Sequence, residues 1–564
     1  MKTLLQFFKK IFLFLFREVC SFFIKLVLSL ILLAIVVGTF ISYISKENTT
    51  EIKQGSYVLL RASSPLSEHI PIPDPLSLQE KHMTFFEVLY ALDSIRQDQR
   101  IQGVLLDADF LSWNKAQLEE IGNKLQKLEE EGKKVITTLQ EVNRNNYFLA
   151  SYTKEIVMTP IHAASSNISP YHYEELYWKN LLDRFGVSIN VIPIGDYKSY
   201  MENYSHSQMS KEFRENMTRL LDKSYDYSIE AIANNRKLEK NTLKAWIENG
   251  EFMGTSFPTL FEKGLITKGE YPNRIRDEIG DDKIISIQEY FSLVKMKTRP
   301  KNYLALLNLE GTIEDETLFL DEVKAIQKDQ NVKGIILRIN SPGGSALVAD
   351  TMYHAVKKLR EKIPVYVSIS GTAASGGYYV AAAGEKIFAS PLSVTGSIGV
   401  VSMIPNFSNL EKKANVTTES ISKGKYADLY SYLQPLSEEN YNRIREGNLG
   451  VYQDFLEVVS SNRNIKKDFL DKNLAQGRVW LGIEAKENGL IDELGGLEAT
   501  IYALEQDKKL GTLPILQVSK NDVFGQYLGK YRKFLSVLPS SMQQKVPKDR
   551  LWNKPLMYFP YEVE

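Results

Sequence analysis

Residues 95–109 read IRQDQRIQGVLLDAD, and 231 positions later residues 326–340 read IQKDQNVKGIILRIN. Ile95 and Ile326, Asp98 and Asp329, Gln99 and Gln330, Gly103 and Gly334, and Leu106 and Leu337 coincide. The same offset aligns residues 145–160 (NNYFLASYTKEIVMTP) with 376–391 (GGYYVAAAGEKIFASP) without a gap. Two ungapped matches at one spacing identify an internal duplication, and so long a period makes each copy a whole domain. In each copy, apolar runs such as Gly103–Leu106, Gly334–Leu337 and Val365–Ser370 have the character of buried strands. Between them, Phe85, Val88, Leu89, Leu92 and Ile95 recur at helical spacing. This alternation predicts an α/β fold, a mainly parallel sheet covered by helices, built twice. The polar stretches 209–237 and 436–463 predict a matched pair of long helices.

Outside the repeats, composition mostly excludes. The 564 residues carry 69 basic and 69 acidic side chains, a balance that argues against a nucleic-acid partner. One cysteine rules out a disulfide framework and a Cys-rich metal centre. No metal-ligand spacing and no Gly-Lys-Ser/Thr phosphate loop occurs, so no cofactor is expected. One segment departs from the average: residues 26–45, LVLSLILLAIVVGTFISYIS, are free of charge. As a helix they would span roughly 30 Å, the thickness of a bilayer core. Lys2, Lys9, Lys10, Arg17 and Lys25 precede it against Glu18 alone, which places the N-terminus in the cytoplasm. No A-x-A-like cleavage site follows, so the run reads as an uncleaved transmembrane signal-anchor, with a buried core helix as the alternative. The expected organisation is a cytoplasmic lead and anchor over 1–45, a first repeat over 46–300, a second over 301–510, and a tail over 511–564. The chain from Lys46 onward would then lie outside the cytoplasmic membrane.

Four short segments could carry chemistry. Asn340-Ser-Pro-Gly-Gly344 ends a buried strand, and its glycines allow backbone N–H groups to face a ligand; an ordinary Pro-Gly turn is the alternative. Gly371-Thr-Ala-Ala-Ser-Gly-Gly377 joins a strand to a helix, so Ser375 would sit at a helix N-terminus. There it is either a plain N-cap or a nucleophile beside N–H groups that stabilise an oxyanion. It lacks the G-x-S-x-G spacing, since Ala373 fills the first glycine position. Thr395-Gly-Ser-Ile-Gly399 is a third small-residue turn. None of the six histidines lies in a comparable turn, which leaves a serine nucleophile in need of another base. Lys198, in Gly195-Asp-Tyr-Lys-Ser-Tyr200, follows an apolar strand and has tyrosines nearby, surroundings that could desolvate it to a neutral amine.

Together, NSPGG, AASGGYY, TGSIG and DYKSYMENY, each in its proper half, resemble the SppA-type signal peptide peptidases in their long, duplicated form. The resemblance spans nearly the whole chain. It implies a tandem duplication of a crotonase-like, Clp-protease-like domain with an N-terminal transmembrane helix. It also implies a serine endopeptidase anchored in a bacterial inner membrane, whose Ser/Lys dyad degrades remnant signal peptides. Carried over by motif, Ser375 is the nucleophile, Lys198 the general base and Ser397 the residue that orients the lysine. Backbone N–H groups around Gly343, Gly344 and Gly376 would form the oxyanion hole.

The duplication bears on these roles from within. At the 231-residue offset Ser375 falls on Arg144, and Asp109-Phe-Leu-Ser-Trp113 stands where the second copy has NSPGG. An offset of 229 aligns Val187–Lys198 with Val416–Ala427 and places Lys198 on Ala427. Each copy keeps half of a dyad, so the halves must meet across a domain interface. The resemblance implies a ring-shaped homo-oligomer, a tetramer with its sites between protomers. Two other functions fit the same fold: an acyl-CoA enzyme and a non-catalytic membrane scaffold. Near the end of the sequence, PLMYFPYEV reads as a strand or as a contact with a neighbour.

Overall fold

The computed structural model describes residues 51–70, 82–296, 298–518 and 556–558, with positions 21, 25, 28, 29 and 32. The apolar run 26–45 otherwise lies outside the described residues, and among those described no helix is long and apolar enough to cross a membrane. Contacts divide the chain into two units, one ending at Gln54 and one beginning at Gly55 that contains the sheets of both repeats.

In the first repeat β1 (Ser56–Arg61), α1 (Phe85–Gln97), β2 (Ile101–Asp107), α2 (Lys115–Glu130), β3 (Lys134–Leu139), α3 (Arg144–Ala150) and β4 (Glu155–Met158) alternate. Then come β5 (Ser188–Ile194), α4 (Lys211–Arg236), β6 (Lys268–Gly269) and β7 (Ile284–Ser286). The sheet runs β7-β1-β2-β3-β4-β6, every pairing parallel. Helix entry is set locally: Thr84 with Glu87 and Asn114 with Gln117 form capping boxes at α1 and α2.

The second repeat follows the same plan. It contains β8 (Tyr303–Glu310), α5 (Thr317–Lys328), β9 (Val332–Ser341), β10 (Gly343–Ser345), α6 (Ala346–Arg360), β11 (Val365–Ala374) and α7 (Gly376–Ala381). After these come β12 (Lys386–Ala389), β13 (Val394–Gly396), β14 (Val400–Asn406), α8 (Glu438–Arg463), β15 (Val479–Leu481), β16 (Ile515–Gln517) and β17 (Leu556–Tyr558). Its sheet runs β15-β13-β11-β9-β8-β16, with β12 also beside β11. The strand β16 pairs in parallel with β8, so this sheet extends past residue 510. β4 and β12 stand 231 positions apart, as do the first residues of α2 and α6. The polar stretches form α4 and α8, each 26 residues long.

Two of the contacts that join the repeats position the elements described below. One is a buried ionic cluster on β9. Arg338 is 1 % exposed, donates to Glu68 from Nε (3.2 Å) and to Glu120 from Nη2 (2.7 Å), and also reaches Ser368 Oγ at 2.8 Å. Both carboxylates come from the first repeat, and Glu68 also accepts from Gln117 and from Ser370. The other is a third sheet, β10-β17-β14-β5, in which β5 of the first repeat pairs antiparallel with β14 of the second.

Removing one partner of a buried ion cluster costs far more than replacing the whole, because the remaining charges stay desolvated. Arg338→Leu strands two buried carboxylates. It is expected to lower the unfolding free energy by about 3–5 kcal/mol, read from a urea titration; an unchanged midpoint would refute this role for the cluster.

Candidate active site

Ile194, the last residue of β5, faces Val400, the first of β14, at one end of a ladder of seven residue pairs. Lys198 stands four residues beyond Ile194, and Ser397 three before Val400. β11 reaches the same place: Ala373 and Ala374 pair with Thr395 and Gly396 of β13, and Ser375 follows directly. Lys198 Nζ lies 2.8 Å from Ser375 Oγ, 3.0 Å from Ser397 Oγ and 3.1 Å from the Ser397 carbonyl oxygen. Ser375 has no exposed surface, Ser397 has 1 % and Lys198 has 4 %.

Ser375 adopts φ 55° and ψ −118°, a conformation an L-residue reaches only with strain. Its N–H donates to Gly396 O at 2.8 Å on one side, and on the other its carbonyl accepts from Tyr379 N–H at 2.9 Å as α7 begins. The G-x-S-x-G spacing is absent, yet the backbone makes the same strand–turn–helix with serine at the turn. Ser397 is also left-handed, at φ 52°, and its N–H donates to Arg478 O at 2.7 Å.

Burial holds the Lys198 amine well below its ordinary range, and no carboxylate among the described residues pairs with it to restore the charge. A neutral amine has two N–H donors and one lone pair. The three partners match that set: the Ser397 carbonyl and hydroxyl oxygens can accept, and the Ser375 hydroxyl can donate to the lone pair.

The lysine backbone is held by a loop absent from the sequence-based site, Gln476-Gly-Arg478. Tyr197 N–H donates to Gln476 O at 2.8 Å. Gly477 presses so closely on Lys198 that a Cβ there would come 2.4 Å from its backbone nitrogen. This loop belongs to no repeat match, and a lone glycine ahead of β15 was the one available signal. The NSPGG turn abuts α7, since a Cβ on Gly377 would meet Ser341 O at 2.6 Å. Of the three glycines expected to supply an oxyanion hole, Gly343 donates its N–H to Ser341 Oγ at 3.2 Å. Gly344 lies opposite Met557 of β17, and Gly376 opens α7.

The expectation that the two halves meet between protomers is corrected. Lys198 and Ser375 meet within one chain, because β5 leaves the first repeat to pair with β14 of the second. The opposite halves of the duplication form no such pair. Arg144 lies over the Tyr171 ring at 4.2 Å with Lys115 over the same ring, and Ala427 lies in an exposed segment.

Comparison with known proteins agrees with the duplication. The family model for peptidase family S49 matches residues 127–266 and 357–511, and the Clp protease model matches residues 306–395. Protease 4 of Haemophilus influenzae is 30% identical over 473 residues, 78% of this chain and 74% of that one. The chloroplastic serine protease SPPA of Arabidopsis thaliana is 27% identical over 483 residues, 81% of this chain and 69% of that one. An Enterococcus faecium chain named as a signal peptide peptidase SppA is 41% identical over 211 residues, 37% of this chain and 60% of that one.

Only an unprotonated amine can take a proton from Ser375, and Lys198 is unprotonated above its lowered pKa. Labelling of Ser375 by a fluorophosphonate should therefore rise with pH along a one-proton curve. Its midpoint should lie well below the ordinary lysine value of 10.5. A rate that climbs only near that value would overturn the neutral-amine reading.

Proposed function

We infer the reaction from one premise: the chain belongs to peptidase family S49 and is a serine peptidase. Ser375 Oγ attacks the carbonyl of an extended peptide, and its proton passes to the neutral amine of Lys198. The resulting ammonium protonates the leaving amine, and the lysine then takes a proton from the water that hydrolyses the acyl-enzyme. Ser397 holds Nζ in line through its hydroxyl and carbonyl oxygens. The N–H groups of Gly344 and Gly376, with Gly343 behind them, receive the oxyanion. The observation that carries this reading is the 2.8 Å contact between a serine and a buried lysine that has no counter-charge among the described residues.

The substrates are remnant signal peptides, a reading supported by the name carried by the Enterococcus faecium relative. The charge-free run 26–45 supports anchoring in a bacterial inner membrane, with the repeats on its outer side. The chain also works as a homo-oligomer, which we take to be a tetramer. In one chain the β5–β14 ladder uses one strand from each repeat. The segments that correspond to those strands in the opposite repeats, residues 417–423 and 169–175, are not in strands. Ile421 is fully exposed, Val416 is more than half exposed, and Leu176 is 66% exposed. Pairing the first segment of one copy with the second segment of the next repeats the internal contact, and a heterologous contact repeated in this way closes a ring.

Ser375→Ala and Lys198→Ala should each lower kcat/KM on a peptide by at least about 1,000-fold. Because both residues act within one chain, co-assembled inactive variants should stay inactive; restored cleavage would place the site between protomers. Ile421→Asp should dissociate the oligomer, read by native mass spectrometry, and an unchanged mass would remove this segment from the interface.

A further inference from the structure

The 231-residue offset maps the glycine wall of the second repeat onto a cavity in the first. Residues 342–347 and Gly376 correspond to residues 111–116 and Asn145. The register holds here, since α2 and α6 begin 231 positions apart, at Lys115 and Ala346. Residues 111–116 and Asn145 form one wall of a cavity of about 250 Å³; the other wall comes from the second repeat and includes Asn340, Gly371 and Thr372. This cavity is the first repeat's counterpart of the oxyanion hole, and its chemistry has changed. Ser345, Ala346 and Gly376 are replaced by Asn114, Lys115 and Asn145, and Ser375 by Arg144. An oxyanion that exists only in a transition state is met by fixed backbone N–H groups, whereas a stable anion is held best by charged and amide side chains.

The side chains present are donors. Asn114 Oδ1 accepts from Gln117 N–H at 3.0 Å and Asn340 Oδ1 from Thr372 N–H at 3.2 Å, which leaves their NH2 groups as donors toward a ligand. Lys115 and Asn145 line both this cavity and the closed pocket beside it that holds Arg144 and Tyr171. There Lys115 Nζ donates to Tyr171 Oη at 2.9 Å, and the Arg144 guanidinium lies 4.2 Å from the centre of the same ring. Arg144 Nε is buried and has no hydrogen-bond partner among the described residues. Burial alone would raise the Tyr171 phenol, yet Lys115, and after it Arg144, bring it below its ordinary value, so the local potential is positive. No acidic side chain among the described residues lines the cavity, and Leu111, Trp113, Leu392 and Val394 give it apolar surface.

We propose that this degenerate site binds the C-terminal carboxylate of a peptide whose last residue is apolar. Asn114, Lys115 and Asn145 take the carboxylate, and the terminal side chain lies against Leu111, Trp113 and Val394. Every cut by a serine peptidase leaves such an end on the N-terminal fragment, so the ligand class is a product of the reaction and, while the fragment is long enough, a substrate for the next cut. The comparison with the oxyanion hole rests on the Ser375–Lys198 reading; the cavity and its donors do not.

The test uses the full chain with Ser375 blocked by a fluorophosphonate, so that the probe is not cut. The probe is a fluorescein-labelled hexapeptide ending in leucine, prepared as the free acid and as the C-terminal amide. Anisotropy should give a Kd at least about tenfold lower for the acid. Lys115→Gln should raise the Kd of the acid to that of the amide. Asn145→Asp, which sets a like charge at the cavity wall, should do the same and covers a Lys115 variant that fails to fold. Equal Kd values for acid and amide, or a preference that survives both substitutions, would overturn the proposal. So would displacement of the acid by acetate or inorganic phosphate at the peptide's own concentration, since the site would then select an anion and not a peptide end. Failure of the fluorophosphonate to label Ser375 would count against the dyad instead, and the same titrations would then be read on the Ser375→Ala chain.

Discussion

The antiparallel ladder between β5 and β14 is the constraint on which the site depends. It is the only sheet pairing here that joins a strand of one repeat to a strand of the other among the described residues. Its register is held from beneath by the second repeat. Ile194 belongs to that repeat's core, Ile192 packs with Ile404 and Ile444, and Asn448 of α8 donates to Ile192 O at 2.9 Å while accepting from Ser402 Oγ. A slip of one residue would turn every buried side chain of β5 outward and carry Lys198 away by about 3.4 Å. Packing therefore fixes the position of the amine to within a hydrogen-bond length.

Two buried cations show how the same desolvation leads to opposite solutions. Arg338 cannot shed its proton, so the fold surrounds it with Glu68 and Glu120 and keeps it charged. Lys198 can shed its proton, and among the described residues the fold gives it hydroxyl and carbonyl oxygens but no carboxylate. A counter-ion at Lys198 would restore the ammonium and remove the base. The site also holds Ser375 and Ser397 in left-handed backbone, each at a cost of order 1–3 kcal/mol. Such strain persists only where the surrounding structure over-determines it. Here the β11–β13 pairing, the Arg478 carbonyl and the start of α7 do so.

The duplication divides labour between copies that began alike. The first copy supplies the lysine and puts Arg144 where the serine would be; the second supplies the serine and puts Ala427 where the lysine would be. That complementary loss is legible because aligned repeats provide an internal comparison. Lys198, Ser375 and Ser397 were legible as small-residue turns and one lysine after a strand, and the structure brings all three together. Gln476, Gly477 and Arg478 were not, because they act through backbone carbonyls and close approach, and neither needs a distinctive side chain. The partners of β17 were hidden for a similar reason: a strand pairs through its backbone, so PLMYFPYEV names a possible strand but not the strands it joins.

The sequence by itself determined the tandem α/β architecture, since apolar periodicity and a constant offset are properties of the chain alone. It also determined which residue types could act, because each copy lacks what the other has. Only the tertiary structure decided whether the halves meet within a chain or between chains. A contact between repeats is satisfied equally by a chain's own second copy and by its neighbour's, and only the β5–β14 ladder distinguishes them. Tertiary structure also decided the charge state of Lys198, because desolvation depends on everything that surrounds the amine and on nothing adjacent to it in sequence.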